Sequence, residues 1–236
     1  VYFVPMKYQH LFFDLDHTLW DFDTNSKITM EALYHQYHLA GLGIHSFDNF
    51  YEKYHQHNQR LWDRYTKGFI KQEELRWKRM WLTLLDFKIA DEALARKMSV
   101  EYLHLLPHQK TLFPNCLETL DYLKTKGYPM SLITNGFDLV QHNKLQHSGL
   151  TNYFNKVITS EACNAVKPNK AIFDYACEQT GALANNSVMI GDNLDADIQG
   201  GINAGMDTIF VNHLQITPTV SATYVVYDLL ELKSIL

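Results

Sequence analysis

The sequence lacks the features of a small secreted protein or a membrane protein. Its 236 residues include three cysteines, six prolines and eleven glycines, and Cys116, Cys163 and Cys177 form no CxxC pair. We therefore predict neither a disulfide framework nor a structural zinc site, and we expect a cytoplasmic location. No run of 18 apolar residues and no leader-like segment occurs, so neither a membrane span nor a signal peptide is predicted. We expect Met6 to be the natural start, with residues 1–5 extraneous.

The chain also lacks an excess of positive charge. Its 21 Lys and Arg residues against 26 Asp and Glu residues give a net charge of -5. This sign disfavours nucleic-acid polymers and anionic membranes, and we predict neither as a partner. The hydrophobic fraction of 46% and the charged fraction of 20% are ordinary for a globular protein. The length favours one core domain with a second, smaller one, and nothing in the sequence indicates an oligomeric state.

Short apolar runs of strand length alternate with helical patterns. The first run is His10-Leu11-Phe12-Phe13-Asp14. The later runs are Tyr128 to Thr134, Lys156 to Thr159, Val188 to Ile190, Thr208 to Val211 and Tyr224 to Tyr227, and the helical patterns near them include Cys116 to Lys126, Leu139 to His147, Ala171 to Gln179 and Ile198 to Ala204. This alternation predicts an α/β fold with a Rossmann-like, three-layer core and a parallel sheet.

A stretch of about 80 residues between the first and second predicted strands is too long for a loop. It contains four helical patterns, and the clearest runs from Phe47 to Tyr65 with Ser46 as the expected N-cap and Gly68 as the expected stop. We predict an inserted α-helical bundle over residues 24–106, with the core formed by residues 6–23 and 107–236.

Four polar segments each follow a predicted strand. They are Asp14-Leu15-Asp16-His17-Thr18, Thr134-Asn135-Gly136, Lys167-Pro168 and Gly191-Asp192 through Asp197. Each segment alone has an ordinary explanation as a loop, a turn, a surface lysine or a helix cap. The carboxyl ends of parallel strands share one edge of a sheet, so the four segments should converge on one site.

This ordered combination resembles the haloacid dehalogenase superfamily of aspartyl-phosphate phosphohydrolases. The resemblance spans residues 12 to 197, and the helical insertion resembles the cap of that superfamily. It implies that Asp14 is the nucleophile and that Asp16 is the general acid and base. Members that remove halides lack an acid at the position of Asp16, so its presence argues against dehalogenation.

The resemblance also implies a set of binding residues. The phosphate would be held by Thr134, Asn135 and Lys167, of which Thr134 and Lys167 are also catalytic. Mg²⁺ would be held by the Asp14 carboxylate, the Asp16 main-chain carbonyl and the Asp192 carboxylate, with Asp197 and Asp195 behind these ligands.

Electrostatics independently favours a cation at this site. Each close pair of acids costs roughly 4 kcal/mol at an effective dielectric constant near 20. The hard oxygen ligands suit Mg²⁺. We also expect the neighbouring acids to keep Asp16 protonated.

Within the superfamily, the chain resembles the bacterial pyrimidine 5'-nucleotidases. The segments that carry this likeness are Leu61 to Ile70, Ile133 to Phe137, Val166 to Ala176 and Gly200 to Gly205, while His17 stands where that group often has Glu. We therefore predict a Mg²⁺-dependent phosphomonoesterase whose substrate is a small phosphorylated metabolite, a pyrimidine nucleoside monophosphate. The alternatives are a capped phosphatase for phosphoglycolate or a sugar phosphate, a phosphoglucomutase-like phosphotransferase, and a catalytically silent regulatory protein.

Overall fold

The structure is a computed structural model, and it describes residues 7–236. Met6 and residues 1–5 lie outside the described residues. Contacts divide the described residues into two compact units, one comprising residues 7–22 together with Lys110–Leu236 and the other Asp23–Gln109. The sequence predicts the ends of the second unit at 24 and 106. The unit ends later because a 3-10 turn, Leu106–His108, continues the last of its helices.

The first unit contains a parallel sheet of six strands. The strands are β1 (His10–Phe13), β2 (Met130–Thr134), β3 (Lys156–Thr159), β4 (Ser187–Gly191), β5 (Asp207–Val211) and β6 (Tyr224–Val226). Their order in the sheet is β3-β2-β1-β4-β5-β6, and every neighbouring pair is parallel. The predicted Rossmann-like sheet is confirmed.

The helices of both units are α1 (Phe22–Gln36), α2 (Phe47–Thr66), α3 (Gln72–Asp86), α4 (Glu92–Leu105), α5 (Cys116–Thr125), α6 (Asp138–His147), α7 (Ser160–Cys163), α8 (Lys170–Thr180), α9 (Gly200–Ala204) and α10 (Leu232–Ile235). Among residues 7–236, none of these helices combines the length and the apolar character needed to cross a membrane. The helix predicted over Ile198 to Ala204 begins earlier, because a π-helical turn, Leu194–Gln199, precedes α9. The Asn193 side chain caps this turn by accepting hydrogen bonds from the Asp195 and Ala196 amides.

The central strand β1 is fully buried. Phe12 belongs to a hydrophobic cluster that includes Ile133 of β2, Met189 of β4 and Phe173 of α8. A strand buried on both faces has a continuous apolar sequence, which is why this segment lacks the alternation of a half-exposed strand.

The register of β1 against its two neighbours brings three strand ends together. Phe13 pairs with Leu132 of β2 and with Ile190 of β4. The amide of Asp14 continues the second ladder by donating a hydrogen bond to the Ile190 carbonyl at 2.9 Å. Polar residues that follow these strands therefore lie at one edge of the sheet.

The second unit is helical, as the four patterns in the sequence predict. Helix α2 begins where the Ser46 hydroxyl accepts a hydrogen bond from the Asn49 amide at 3.3 Å. It ends just before Gly68, whose φ is +75°. Helix α3 packs between α2 and α4. Buried residues at three-and-four spacing, such as Phe50, Tyr54 and Leu61, form the inward face of α2.

His10 is a buried titratable residue at the start of β1. Its side chain is almost inaccessible, and its Nε2 lies 3.0 Å from the Ser131 hydroxyl oxygen. Burial lowers the pKa of His10 from 6.5 to about 4. The imidazole therefore stays neutral in the folded protein at pH values where the unfolded chain takes up a proton.

We predict that His10 makes folding stability depend on mildly acidic pH. The free energy of unfolding should fall as the pH drops from 6.5 to about 4, since the unfolded state binds more protons over this window. The His10 contribution is up to about 3 kcal/mol. Urea denaturation of the wild type and His10→Gln across this range measures the effect. The variant should lose less stability than the wild type, and parallel pH profiles would contradict the prediction.

Candidate active site

Asp14 and Asp16 follow β1 but enter different surroundings. Asp14 is buried, while the Asp16 side chain is 23% exposed. After Asp16 the chain turns at His17, whose φ of +63° lies in the left-handed region. The His17 amide closes the turn by donating to the Trp20 carbonyl at 2.9 Å.

Lys167 is a buried cation of the site. Its ammonium group donates three hydrogen bonds, to Asp14 Oδ1 at 2.7 Å, to Asp197 Oδ1 at 2.6 Å and to the Ile133 carbonyl at 2.7 Å. Burial alone would lower the pKa of Lys167, but the Asp14 and Asp197 carboxylates raise that pKa above its ordinary value. Lys167 therefore carries its positive charge under ordinary conditions.

Three carboxylates gather around this cation. Asp14, Asp192 and Asp197 each offer an oxygen atom, and these atoms lie within 4.8 Å of one another. The Thr18 hydroxyl donates to Asp192 Oδ1 at 2.9 Å and lies 3.4 Å from Asp14 Oδ2. Burial raises the pKa of Asp14 to about 7, with Lys167 opposing the shift and the neighbouring acids adding to it. Burial and the charges of Asp14 and Asp197 also raise the pKa of Asp192 well above its usual range.

Asp16 is held by two donors from α6. Lys144 Nζ lies 2.5 Å from Asp16 Oδ1, and Gln141 Nε2 donates to Asp16 Oδ2 at 3.0 Å. The acids of the motifs are therefore not the only groups around Asp16, because a cation and an amide contact its two carboxyl oxygen atoms.

The charge balance tests whether a divalent cation fits. Asp16 is paired with Lys144, which leaves Asp14, Asp192 and Asp197 against the single charge of Lys167. The ionised cluster thus has an excess of two negative charges, equal to the charge of one Mg²⁺. Its clustered carboxylate oxygens are the hard ligands that this ion prefers, so the residues fit the predicted metal.

The segment after β2 supplies a hydroxyl and a structural amide. The Thr134 hydroxyl oxygen accepts hydrogen bonds from the Gly136 amide at 3.1 Å and from Gln141 Nε2 at 2.7 Å. The Asn135 side chain is bound to the main chain of Lys167, accepting from its amide at 2.7 Å and donating to its carbonyl at 3.0 Å. The Asn135 side chain thus fixes the position of Lys167. Because that side chain is engaged in this way, the group of Asn135 that can donate to a phosphate is its main-chain amide.

The structure brings together most of the predicted site residues. Hydrogen bonds or short oxygen distances link one group of these residues: Asp14, Asn135, Lys167, Asp192 and Asp197. Gln141 links Asp16 to Thr134. Asp197 is itself part of the carboxylate cluster. Asp195 is exposed at the start of the π-helical turn, so the expectation that it lies behind the ligands is wrong.

Sequence reasoning missed three residues that contact the predicted acids: Thr18, Gln141 and Lys144. Thr18 belongs to the first motif, four positions after Asp14, which could have identified it. Gln141 and Lys144 lie three positions apart beside the apolar Leu145, so polar residues share the buried face of α6. A buried polar pair on a helix that follows a motif is the signal that could have found them.

Comparisons with known proteins identify the class of protein. The model of the haloacid dehalogenase-like hydrolase family matches residues 11–211. The chain belongs to this family and is a hydrolase, so the predicted family, α/β fold and enzymatic class are confirmed.

Two relatives are similar over nearly their whole length. The chain is 34% identical to pyrimidine 5'-nucleotidase PynA of Streptococcus pneumoniae over 94% of this chain and 92% of the relative. It is 31% identical to pyrimidine 5'-nucleotidase YjjG of Escherichia coli over 98% of this chain and 99% of the relative. The solved structure of the HAD-hydrolase YfnB from Bacillus subtilis bound to magnesium matches with a TM-score of 0.88 at 26% identity, covering 98% and 99% of the two chains.

We predict that Gly191→Ala destabilises the protein by about 1–3 kcal/mol, because the site leaves no room for a side chain there. A Cβ atom at Gly191 would lie 2.3 Å from Asp197 Oδ2 and 2.4 Å from its Cγ. Urea denaturation measures the change. Gly41→Ala is the matched control, since a Cβ atom there meets nothing within 4 Å. Equal stability of the two variants would show that Asp197 moves aside without cost.

Proposed function

We propose that this hydrolase cleaves phosphomonoesters through a phosphoaspartate formed on Asp14, and that its substrates are pyrimidine nucleoside 5'-monophosphates. The observation that carries the proposal is that two acids only two positions apart in the sequence have different surroundings. Asp14 joins a buried carboxylate cluster around Lys167, whereas Asp16 is held apart by Lys144 and Gln141. A nucleophile and a proton carrier need such different surroundings.

The first proposed step forms a bond between an Asp14 carboxylate oxygen and phosphorus while the bond from phosphorus to the alcohol oxygen breaks. Asp16, in the protonated form that the second step regenerates, gives its proton to the departing oxygen, and Lys144 stabilises the carboxylate that results. In the second step water attacks phosphorus, Asp16 takes the proton of that water, and inorganic phosphate leaves Asp14 as a free carboxylate.

Several groups can hold the transferring phosphoryl group. The Thr134 hydroxyl oxygen accepts two hydrogen bonds, which leaves its own proton to donate to a phosphate oxygen. The Asn135 main-chain amide lies in the same segment. All three protons of the Lys167 ammonium group are donated to acceptors within the protein. Lys167 must therefore give up one of these hydrogen bonds to donate to a phosphate oxygen.

In the proposed mechanism Mg²⁺ would be held by the Asp14 and Asp192 carboxylates and the Asp16 main-chain carbonyl, with Asp197 beside them. When bound, it supplies positive charge that offsets the repulsion between a phosphate dianion and the acids. The charge excess of the cluster supports this choice, as does the magnesium bound to the related YfnB.

The substrate class is supported by the two nearly full-length relatives, both of which are pyrimidine 5'-nucleotidases. The cytoplasm is the proposed location, and the three free cysteines support it. Burial raises the pKa of the Cys116 thiol to about 12, which keeps that thiol protonated.

Phosphate release in the presence of Mg²⁺ tests the substrate. We expect uridine, thymidine and deoxyuridine 5'-monophosphates to be hydrolysed at least about tenfold more efficiently than purine counterparts, phosphoglycolate or hexose phosphates, a difference that about 1.4 kcal/mol of transition-state binding supplies. Preference for phosphoglycolate or a sugar phosphate would be consistent with the proposed reaction but would overturn the proposed substrate class. Transfer of phosphate within a sugar phosphate would favour a phosphotransferase, and inertness towards every ester would favour a regulatory protein.

Asp14→Asn tests the nucleophile. We expect kcat to fall by at least about 10³-fold, since the amide cannot form the phosphorylated intermediate. The fold should survive because removing one charge relieves repulsion within the cluster. Thermal unfolding monitors the fold, and Asp174→Asn is the matched control because Asp174 is exposed and paired with Lys170 on α8. Substantial phosphate release by folded Asp14→Asn would eliminate Asp14 as the nucleophile.

A further inference from the structure

We propose that Lys144 and Gln141 are positioning residues that hold the Asp16 carboxylate in the direction needed for proton transfer. The inference rests on the proposed function, because it gives Asp16 the role of proton carrier. It concerns residues that touch Asp16 rather than the phosphate.

The two donors restrain both oxygens of one carboxylate. Lys144 Nζ lies 2.5 Å from Oδ1, and Gln141 Nε2 lies 3.0 Å from Oδ2. With a donor on each oxygen, rotation of the carboxylate breaks a hydrogen bond. Asp16 is 23% exposed whereas Lys144 is 2% exposed, so the restraint comes from the protein interior and leaves part of the carboxylate accessible.

The donors are themselves held in place. Lys144 Nζ lies 4.3 Å from the ring centroid of Trp20 and 5.5 Å from that of Phe22, so aromatic rings confine the ammonium group. Gln141 is fully buried and also donates to the Thr134 hydroxyl oxygen at 2.7 Å. Both residues project from the same face of α6, so this helix fixes their positions relative to each other.

The burial of Lys144 argues for a role beyond stability. Removing an ammonium ion from water is costly, and well-packed apolar residues of similar volume often stabilise a protein as well as a buried ion pair does. An apolar side chain at position 144 would fill the same space, but it could not orient Asp16.

The test compares two esters that differ in their need for a proton. The departing nucleoside oxygen of uridine 5'-monophosphate must be protonated, whereas p-nitrophenolate leaves without help. Lys144→Met should therefore lower kcat/KM for the nucleotide by about tenfold or more relative to its effect on p-nitrophenyl phosphate. Lys124→Met is the matched control, because Lys124 is exposed and donates to the Asn152 carbonyl, and it should leave both values unchanged.

A double variant separates positioning from a structural role. In an Asp16→Asn background, Lys144→Met should change kcat/KM for p-nitrophenyl phosphate by less than about twofold, because Lys144 then has no proton carrier to orient. An equal loss for both esters in the single variant, or a further large loss in the double variant, would overturn the inference.

Thermal unfolding accompanies every assay, and Lys144→Leu replaces Lys144→Met if the methionine variant does not fold. Failure of the proposed function has a different signature. If the wild type releases phosphate from no ester in the panel, the proposed function falls and the inference falls with it. If wild-type activity depends on Asp14 while the two esters respond equally to the change at Lys144, only the inference fails.

Discussion

The site depends on the hydrogen bonds that the ammonium group of Lys167 donates. Its three acceptors belong to different strand ends: Asp14 follows β1, Ile133 lies within β2, and Asp197 follows β4. One buried charge thus joins the three strands that meet at the centre of the sheet. Leaving a buried charge without its partner costs about 3–5 kcal/mol, so these strand ends cannot separate without a large loss of stability. The Asn135 side chain reinforces the arrangement by binding the main chain of Lys167.

The second constraint is the division of the acids into two groups with separate counter-charges. Asp16 and Lys144 form a pair whose charges cancel, while the cluster around Lys167 retains an excess of negative charge. Burial, together with the charges of the neighbouring acids, raises the pKa values of Asp14 and Asp192. A cation that neutralised the cluster would therefore also favour the ionised carboxylate of Asp14, which the proposed mechanism requires. In the proposed mechanism, folding and catalysis therefore both require positive charge beside these carboxylates.

The sequence predicts the parts of the site that depend on strand order, and it misses those that depend on helix packing. Buried strands appear in the sequence as short apolar runs, and polar segments that follow parallel strands lie at one edge of the sheet. The proximity of Asp14 and Lys167 could therefore be predicted from the sequence alone. The partner of Asp16 could not be found in this way. Lys144 lies 128 positions away on α6, and only the rotation of that helix decides whether its ammonium group faces Asp16. The motif residues gave no indication of this ion pair, because Lys144 lies outside all four motifs.

The two glycines of the motifs illustrate the same difference between local and tertiary requirements. Neither Gly136 nor Gly191 has a positive φ, so neither is needed for backbone conformation. A Cβ atom at Gly136 would lie 2.4 Å from Cδ of Gln141, just as one at Gly191 would meet Asp197. Gln141 could move away only by giving up its hydrogen bonds to Asp16 and Thr134. Each glycine therefore makes room for a polar side chain that connects one motif to another. The site requires glycine at both positions because a methyl group would displace that side chain.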